Sequence, residues 1–365
     1  MPNDRISRRK FTETAAAGSA AIMATPLVLT AKKTASSLTI GSGQHQYEVI
    51  HDWPQLPEKY SWQTTHNVAV DKSENLYVIH EGDVDKPDHP AIFVFDNKGA
   101  FVRAFGNQFQ GGGHGLEVRQ EGSEEFLYIC CYQQLKTFAK LTLTGEIVWQ
   151  KWAPMESGVY AANEDSKPEN IWGRDRFLPT NFAFLDDGGF FLSDGYGSFH
   201  IHRYDKDANY VSSFGGPTDT KEHGLFDTPH GIWIDRRPNR APSVVIADRA
   251  NGRLQWFTLE GEHLRTMDGY LFPANIDTLD ELMLVPDLHA RITLLDGQDQ
   301  VVAQLGEDIA WRSQVLDGFK LRKEPTRWQA GKFLHPHDAC FDPQGNIFVA
   351  EWVATGRITK LRPLA

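Results

Sequence analysis

Along most of the chain, short runs alternate apolar with other residues, the period-2 signature of strands buried on one face. Six of these runs open alike: Thr65-His66-Asn67-Val68-Ala69-Val70, Gly113-His114-Gly115-Leu116-Glu117-Val118, Thr180-Asn181-Phe182-Ala183-Phe184-Leu185, Pro229-His230-Gly231-Ile232-Trp233-Ile234, Ala274-Asn275-Ile276-Asp277-Thr278-Leu279 and Pro336-His337-Asp338-Ala339-Cys340-Phe341. Most lead through a polar turn, such as Asp186-Asp187-Gly188-Gly189, into a more apolar strand, such as Ile347-Phe348-Val349-Ala350. A third strand and an outer fourth complete each unit, as in 99–106 and 208–215. The second positions of the openings stand 48, 67, 49, 45 and 62 residues apart. Four strands in about 45–50 residues is the period of a propeller blade. The pattern therefore predicts an all-β, six-bladed β-propeller. The two long intervals predict insertions near 151–178 and 306–332, long enough to be lids or rim loops. The sixth unit runs out before its fourth strand, so Gln46-Tyr47-Glu48-Val49-Ile50 is expected to pair with the last blade and close the ring, leaving no free edge at the seam. No linker interrupts the repeats, and residues 38–365 are expected to form one domain.

The first 37 residues read differently. Ser7-Arg8-Arg9-Lys10-Phe11-Thr12 is a twin-arginine motif, followed by an apolar stretch from about Ala15 to Ala31 and then Lys32-Lys33. That order is a bacterial export signal and predicts a periplasmic or secreted protein. The stretch is broken by Gly18, Ser19, Thr25 and Pro26, and no other long apolar segment exists, so no membrane span is expected. The 365-residue chain has 37 Lys and Arg against 48 acids, a net charge of −11, which argues against a nucleic-acid partner. Three cysteines (Cys130, Cys131 and Cys340) cannot build a disulfide framework and are read as small buried apolar residues.

Innermost strands of a propeller line a central channel, so equivalent positions form a ring. The second positions are His66, His114, Asn181, His230, Asn275 and His337. His114, His230 and His337 fall on alternate blades, at the corners of a triangle. Three neutral imidazoles meeting there can hold one divalent ion and leave a fourth position open, the pattern of catalytic zinc. A second ring forms where the second strands end: His80-Glu81, Cys131-Tyr132, Asp194-Gly195-Tyr196, Asp248-Arg249, Asp287-Leu288-His289 and Glu351-Trp352. Its aspartates suit backbone turns, whereas Tyr196, Arg249 and Glu81 extend toward the histidines. A tyrosine near cations loses its proton more easily and can act as a base, and Arg249 can take a carboxylate in bidentate fashion.

Asp194-Gly195-Tyr196-Gly197-Ser198, Phe226-Asp227-Thr228-Pro229-His230-Gly231, Ala247-Asp248-Arg249-Ala250-Asn251-Gly252-Arg253 and Pro336-His337-Asp338 resemble the peptidyl-α-hydroxyglycine α-amidating lyase family of NHL-repeat propellers. The resemblance implies zinc on His114, His230 and His337, a tyrosine base at Tyr196 and a substrate arginine at Arg249. It also implies a structural calcium on Asp338 and the carbonyls of Leu116 and Val68. The chain departs from the family at three pocket positions. Glu81 stands where the family has a second arginine, His335 where it has a methionine, and His66 where the lyase uses no ligand; His66 and His335 are thus further candidate metal ligands. The expected function is an exported, metal-dependent, lyase-like enzyme acting on a small molecule or peptide end. The alternatives are a lactonase-type metal-dependent hydrolase, with carboxylate and asparagine ligands, and a non-catalytic propeller that binds a partner. The sequence sets no oligomeric state.

Overall fold

A computed structural model describes residues 38–364. The signal peptide and linker expected over residues 1–37 lie outside the described residues. Six antiparallel sheets follow one another in chain order. Five have four strands each, and their innermost strands are Thr65–Val70, Gly113–Glu121, Asn181–Phe184, Pro229–Asp235 and Asp277–Leu279. The sixth blade begins at Pro336–Phe341 and has five strands, because the chain start supplies two of them. His45–Ile50 pairs with Arg357–Pro363 in the register Tyr47 to Pro363, Glu48 to Arg362 and Val49 to Leu361. The expected closure is therefore present. Thr39–Ser42, which the sequence reading did not assign, adds an outer fifth strand.

Hydrophobic side chains fill every junction between neighbouring blades. Tyr77, Ile79, Leu116 and Ile129 join blades one and two, and Phe138, Phe182 and Phe190 join two and three. Tyr47 and Val49 from the chain start are buried between blades five and six, so the closing strand also contributes core. Cys131 packs in the first of these clusters and Cys130 in the next, on opposite faces of their strand as alternation requires.

Both insertions are ordered by local polar contacts. In 152–180, the buried Glu164 takes the Lys136 ammonium at 2.8 Å and the Phe177 amide at 3.0 Å. In 306–332, the chain forms the only α-helix among the described residues, Ile309–Leu316, which the sequence reading did not assign. Asp308 caps it by accepting the Trp311 amide, and Trp311 is buried beneath it. No helix among the described residues is long and apolar enough to cross a membrane.

Candidate functional site

Each innermost strand that carries a histidine breaks register at that residue. The breaks lie between Thr65 and Asn67, Gly113 and Leu116, Pro229 and Ile232, and Pro336 and Asp338. The strand that begins at Asn181 pairs without one. A bulge takes one side chain out of strict alternation and re-aims it. Here it brings four imidazoles together. The ring centroids of His114, His230 and His337 stand 4.8, 4.8 and 4.7 Å apart, nearly equilateral, and His66 lies 4.9 Å from His114 and 4.5 Å from His337.

The three alternate-blade histidines are tethered in the same way. His114 Nδ1 donates to Thr180 O at 2.8 Å, His230 Nδ1 to Ala274 O at 2.5 Å and His337 Nδ1 to His66 O at 2.8 Å. In each case the acceptor belongs to the next blade. The glycine after two of the histidines makes this possible, since a Cβ on Gly115 would overlap Thr180 O and one on Gly231 would overlap Asn275. A carbonyl can only accept, so Nδ1 carries the proton and Nε2 the lone pair. The Nε2 atoms of His114 and His230 nevertheless face each other at 3.1 Å, and that of His337 is buried without a partner. The Tyr196 hydroxyl, 2.9 Å from His230 Nε2 and 3.3 Å from His114 Nε2, has one proton to offer the two of them. Two ligands at about 2.0–2.1 Å from one ion sit about 3.0–3.4 Å apart, which the His114–His230 pair matches, while ligand atoms of His114, His337 and His66 lie within 4.8 Å of one another, a group that could hold a metal ion. Burial, the largest influence, pushes all three imidazoles well below the ordinary histidine range, keeping them neutral as ligands must be.

Above the histidines opens a cavity of about 560 Å³, lined in part by Glu81, Tyr132, Tyr196, Arg249, His289 and Trp352. These are the residues that the sequence reading placed at the ends of the second strands, and each blade contributes one. The aspartates beside them have the expected turn role. Asp194 accepts from the Leu178 and Ser198 amides, and Asp287 from the Leu271, Phe272 and His289 amides. Arg249 Nη1 donates to the Tyr196 hydroxyl at 3.1 Å, and the guanidinium lies 4.9 Å from the rings of Tyr196 and Phe272. Burial still raises the Tyr196 phenol above its ordinary value, with Arg249 pulling against it, so the arginine alone does not ionise it. Glu81 is drawn down by His66 and Gln133 despite burial, and stays ionised. Trp172 and Arg174 reach the cavity from the first insertion and Phe319 from the second. Sequence reasoning found those insertions but had no periodicity from which to choose these residues.

Deeper in the channel lies a layer of carboxylates. Asp338 Oδ2 accepts the Val68 amide at 2.8 Å, and its other oxygen takes the Asn275 side chain. Asp277 accepts the Phe341 and Thr278 amides at 2.7 Å. Glu117 takes the Asn181 amide group at 3.1 Å. Burial pushes Asp338 up to about 7 and Asp277 to about 6, and raises Glu117 well above its usual range. Of the residues expected to hold calcium, Asp338 and Val68 border a small cavity of about 120 Å³, together with Glu117 and Asp277; Leu116 is buried next to Glu117. The sequence reading did not single out Glu117 and Asp277, although both follow a ring position by two or three residues. His335 stands apart from the imidazole cluster: its Nδ1 donates to Leu288 O, and its ring packs against Phe319 and Trp352.

No family model matches the chain. In sequence it is similar to peptidyl-α-hydroxyglycine α-amidating lyase 1 of Drosophila melanogaster, 28% identical over 200 residues that cover 49% of this chain and 34% of the relative. It is also similar to a Caenorhabditis elegans protein named as a probable peptidyl-α-hydroxyglycine α-amidating lyase, 22% identical over 188 residues, 52% of this chain and 49% of that one. The matches therefore span between a third and a half of these relatives. A solved structure of a protein of unknown function from Bacteroides thetaiotaomicron VPI-5482 shares the fold, with a TM-score of 0.53 at 12% identity over 89% of this chain and 76% of that one. The chain is thus a six-bladed propeller with distant sequence similarity to amidating lyases.

Proposed function

We propose that this chain is an exported, metal-dependent, lyase-like enzyme that acts at the channel mouth on a small molecule or peptide end carrying a hydroxyl and a carboxylate. The observation that carries this reading is the meeting of three Nδ1-tethered imidazoles with Tyr196 and Arg249 at the base of one cavity. A divalent cation held by His114, His230 and His337, zinc by the amidating-lyase resemblance, would supply Lewis acidity to a substrate oxygen. Arg249 is fixed against two rings, and its remaining donors can orient a carboxylate. Tyr196 is the group placed to exchange a proton with the substrate hydroxyl. Trp172 and Phe319 line the mouth of the cavity. Calcium at the Asp338 layer would be structural, its charge offsetting carboxylates that burial otherwise drives toward protonation. Export rests on Ser7–Thr12; replacing Arg8 and Arg9 with Lys should leave the protein in the cytoplasm on cell fractionation.

The test of the enzymatic reading is elemental analysis of protein purified without chelator, paired with a screen of hydroxylated carboxylates and peptidyl-hydroxyglycines. One divalent transition ion per chain is expected, absent from a His114→Ala, His230→Ala double variant that also loses turnover. An ion-free wild type, or full turnover by the double variant, would refute it.

A further inference from the structure

His66 has no place in the three-histidine arrangement, yet its surroundings are those of a ligand. It is fully buried, and neither ring nitrogen has a hydrogen-bond partner. Leaving a buried polar atom unsatisfied is costly, and of the six ring positions His66 alone has both side-chain nitrogens unpartnered, whereas at His337 and Asn181 a single atom is. Asn181 and Asn275, at the same register position in blades three and five, have their side-chain amides hydrogen-bonded. The other three histidines are tethered through Nδ1. His66 instead meets a carboxylate, with Nε2 3.5 Å from Glu81 Oε2. The other Glu81 oxygen is held by Gln133 Nε2 at 2.6 Å, which sets the carboxylate in place. Its strand bulges at His66 as the three others do at theirs. Ligand-capable atoms of His66, His114 and His337 all lie within 4.8 Å of one another.

We propose that His66 is a fourth imidazole donor to the cation at this centre, with Glu81 the positioning residue that orients it. This rests on the reading that the centre takes a cation. With Nε2–H directed at Glu81, Nδ1 is left as the donor atom, an imidazole held from behind by a carboxylate. Glu81 thereby acquires a purpose that its charge alone does not give it, because a bare carboxylate in a pocket built around Arg249 would repel the carboxylate of a substrate. The cofactor class follows from the donor count. Four imidazoles saturate a tetrahedral ion and leave it no position for substrate. A working centre with this donor set takes a first-row ion of coordination number five or six from the metals that imidazole suits: iron, nickel, copper, or zinc expanded to five-coordinate.

The full-length protein, stripped with chelator and titrated with Co²⁺ alone, tests this. Five- or six-coordinate Co²⁺ absorbs weakly in the visible and tetrahedral Co²⁺ strongly, and X-ray absorption counts the imidazoles. The wild type should bind one ion with weak absorption and four imidazoles. His66→Ala should bind it at least about tenfold more weakly, with three imidazoles and a stronger, tetrahedral-type spectrum. Glu81→Gln should weaken binding about 10–100-fold while keeping four imidazoles. Should His66→Ala fail to fold, His66→Asn replaces it, since asparagine occupies the same position in blades three and five. A His66 variant with wild-type affinity, spectrum and a count of three imidazoles in both proteins would overturn the fourth ligand while sparing the three-histidine centre. A wild type that binds no Co²⁺ would overturn both.

Discussion

The imidazole layer and the carboxylate layer of the channel both come from innermost strands, with Glu117 three residues after His114 and Asp338 directly after His337, and burial treats them oppositely. It lowers His114, His230 and His337 and raises the carboxyls, in each case favouring the neutral form. The consequences differ. Imidazole is mostly neutral at pH 7 in water, so burying it neutral there costs little. A carboxylic acid is ionised at that pH, so the lower layer must hold a proton or a cation against its ordinary preference. His114, His230 and His337 are also tethered through Nδ1, leaving the Nε2 lone pair free. The carboxylates Asp338 and Asp277 are tethered through the very oxygens that would ligate. On the proposed reading, the upper layer offers lone pairs to a soft or borderline ion and the lower one carboxylate oxygens to a hard ion.

The largest effect should appear in the pH dependence of stability with chelator present. Asp338 and Asp277 have folded values of about 7 and about 6, above their unfolded ones. The folded state then binds more protons than the unfolded chain, so their contribution is complete below about pH 4 and is lost as pH rises toward 7. His114, His230 and His337, lowered in the folded state, act with the opposite sign: the unfolded chain binds the extra protons, and stability falls as pH drops below about 6.5. A raised carboxyl is worth about 1.4 kcal/mol per unit, so Asp338 alone amounts to a few kcal/mol. Urea unfolding at pH 4.5 and 7 should show Asp338→Asn removing most of the loss on the alkaline side. A variant with the wild-type slope would break the contrast between the layers.

Both rings were legible in the sequence because they are periodic. The second position of each opening and the residue after each second strand could be counted off, and the structure places them at the channel and around its mouth. Three things escaped. The bulges that aim the histidines depend on pairing with another strand, which one strand's sequence does not display. Asp277 and Glu117 were passed over because alternation alone does not say which side of a short strand meets the axis. Trp172 and Phe319 sit in insertions with no repeat to index them, and Phe319 even adopts a left-handed φ of 53°, rare for a bulky side chain.

A smaller effect separates the layers by ion. Calcium added to the stripped protein should raise the melting temperature through the carboxylate layer, by an amount equal to about 2.7 kcal/mol at a hundredfold excess over Kd. Asp338→Asn should abolish that response and leave the Co²⁺ response intact, and His114→Ala should do the reverse. Calorimetry showing that either substitution removes both responses would mean that the two layers are one site.

The smallest change in stability belongs to the residue on which the proposed turnover most depends. Tyr196 contributes one hydrogen bond to a histidine and receives one from Arg249. Tyr196→Phe keeps the ring and loses about 0.5–1.5 kcal/mol, the net worth of a typical hydrogen bond. It also leaves all four imidazoles, so ion stoichiometry and the Co²⁺ spectrum should match the wild type. Turnover on any substrate found in the screen should nevertheless fall about 10²–10⁴-fold, the usual share of general acid–base catalysis, with KM nearly unchanged because Arg249 still holds the carboxylate. If KM rises while kcat holds, Tyr196 is a binding wall of the cavity, and the proton must move through another group at the mouth.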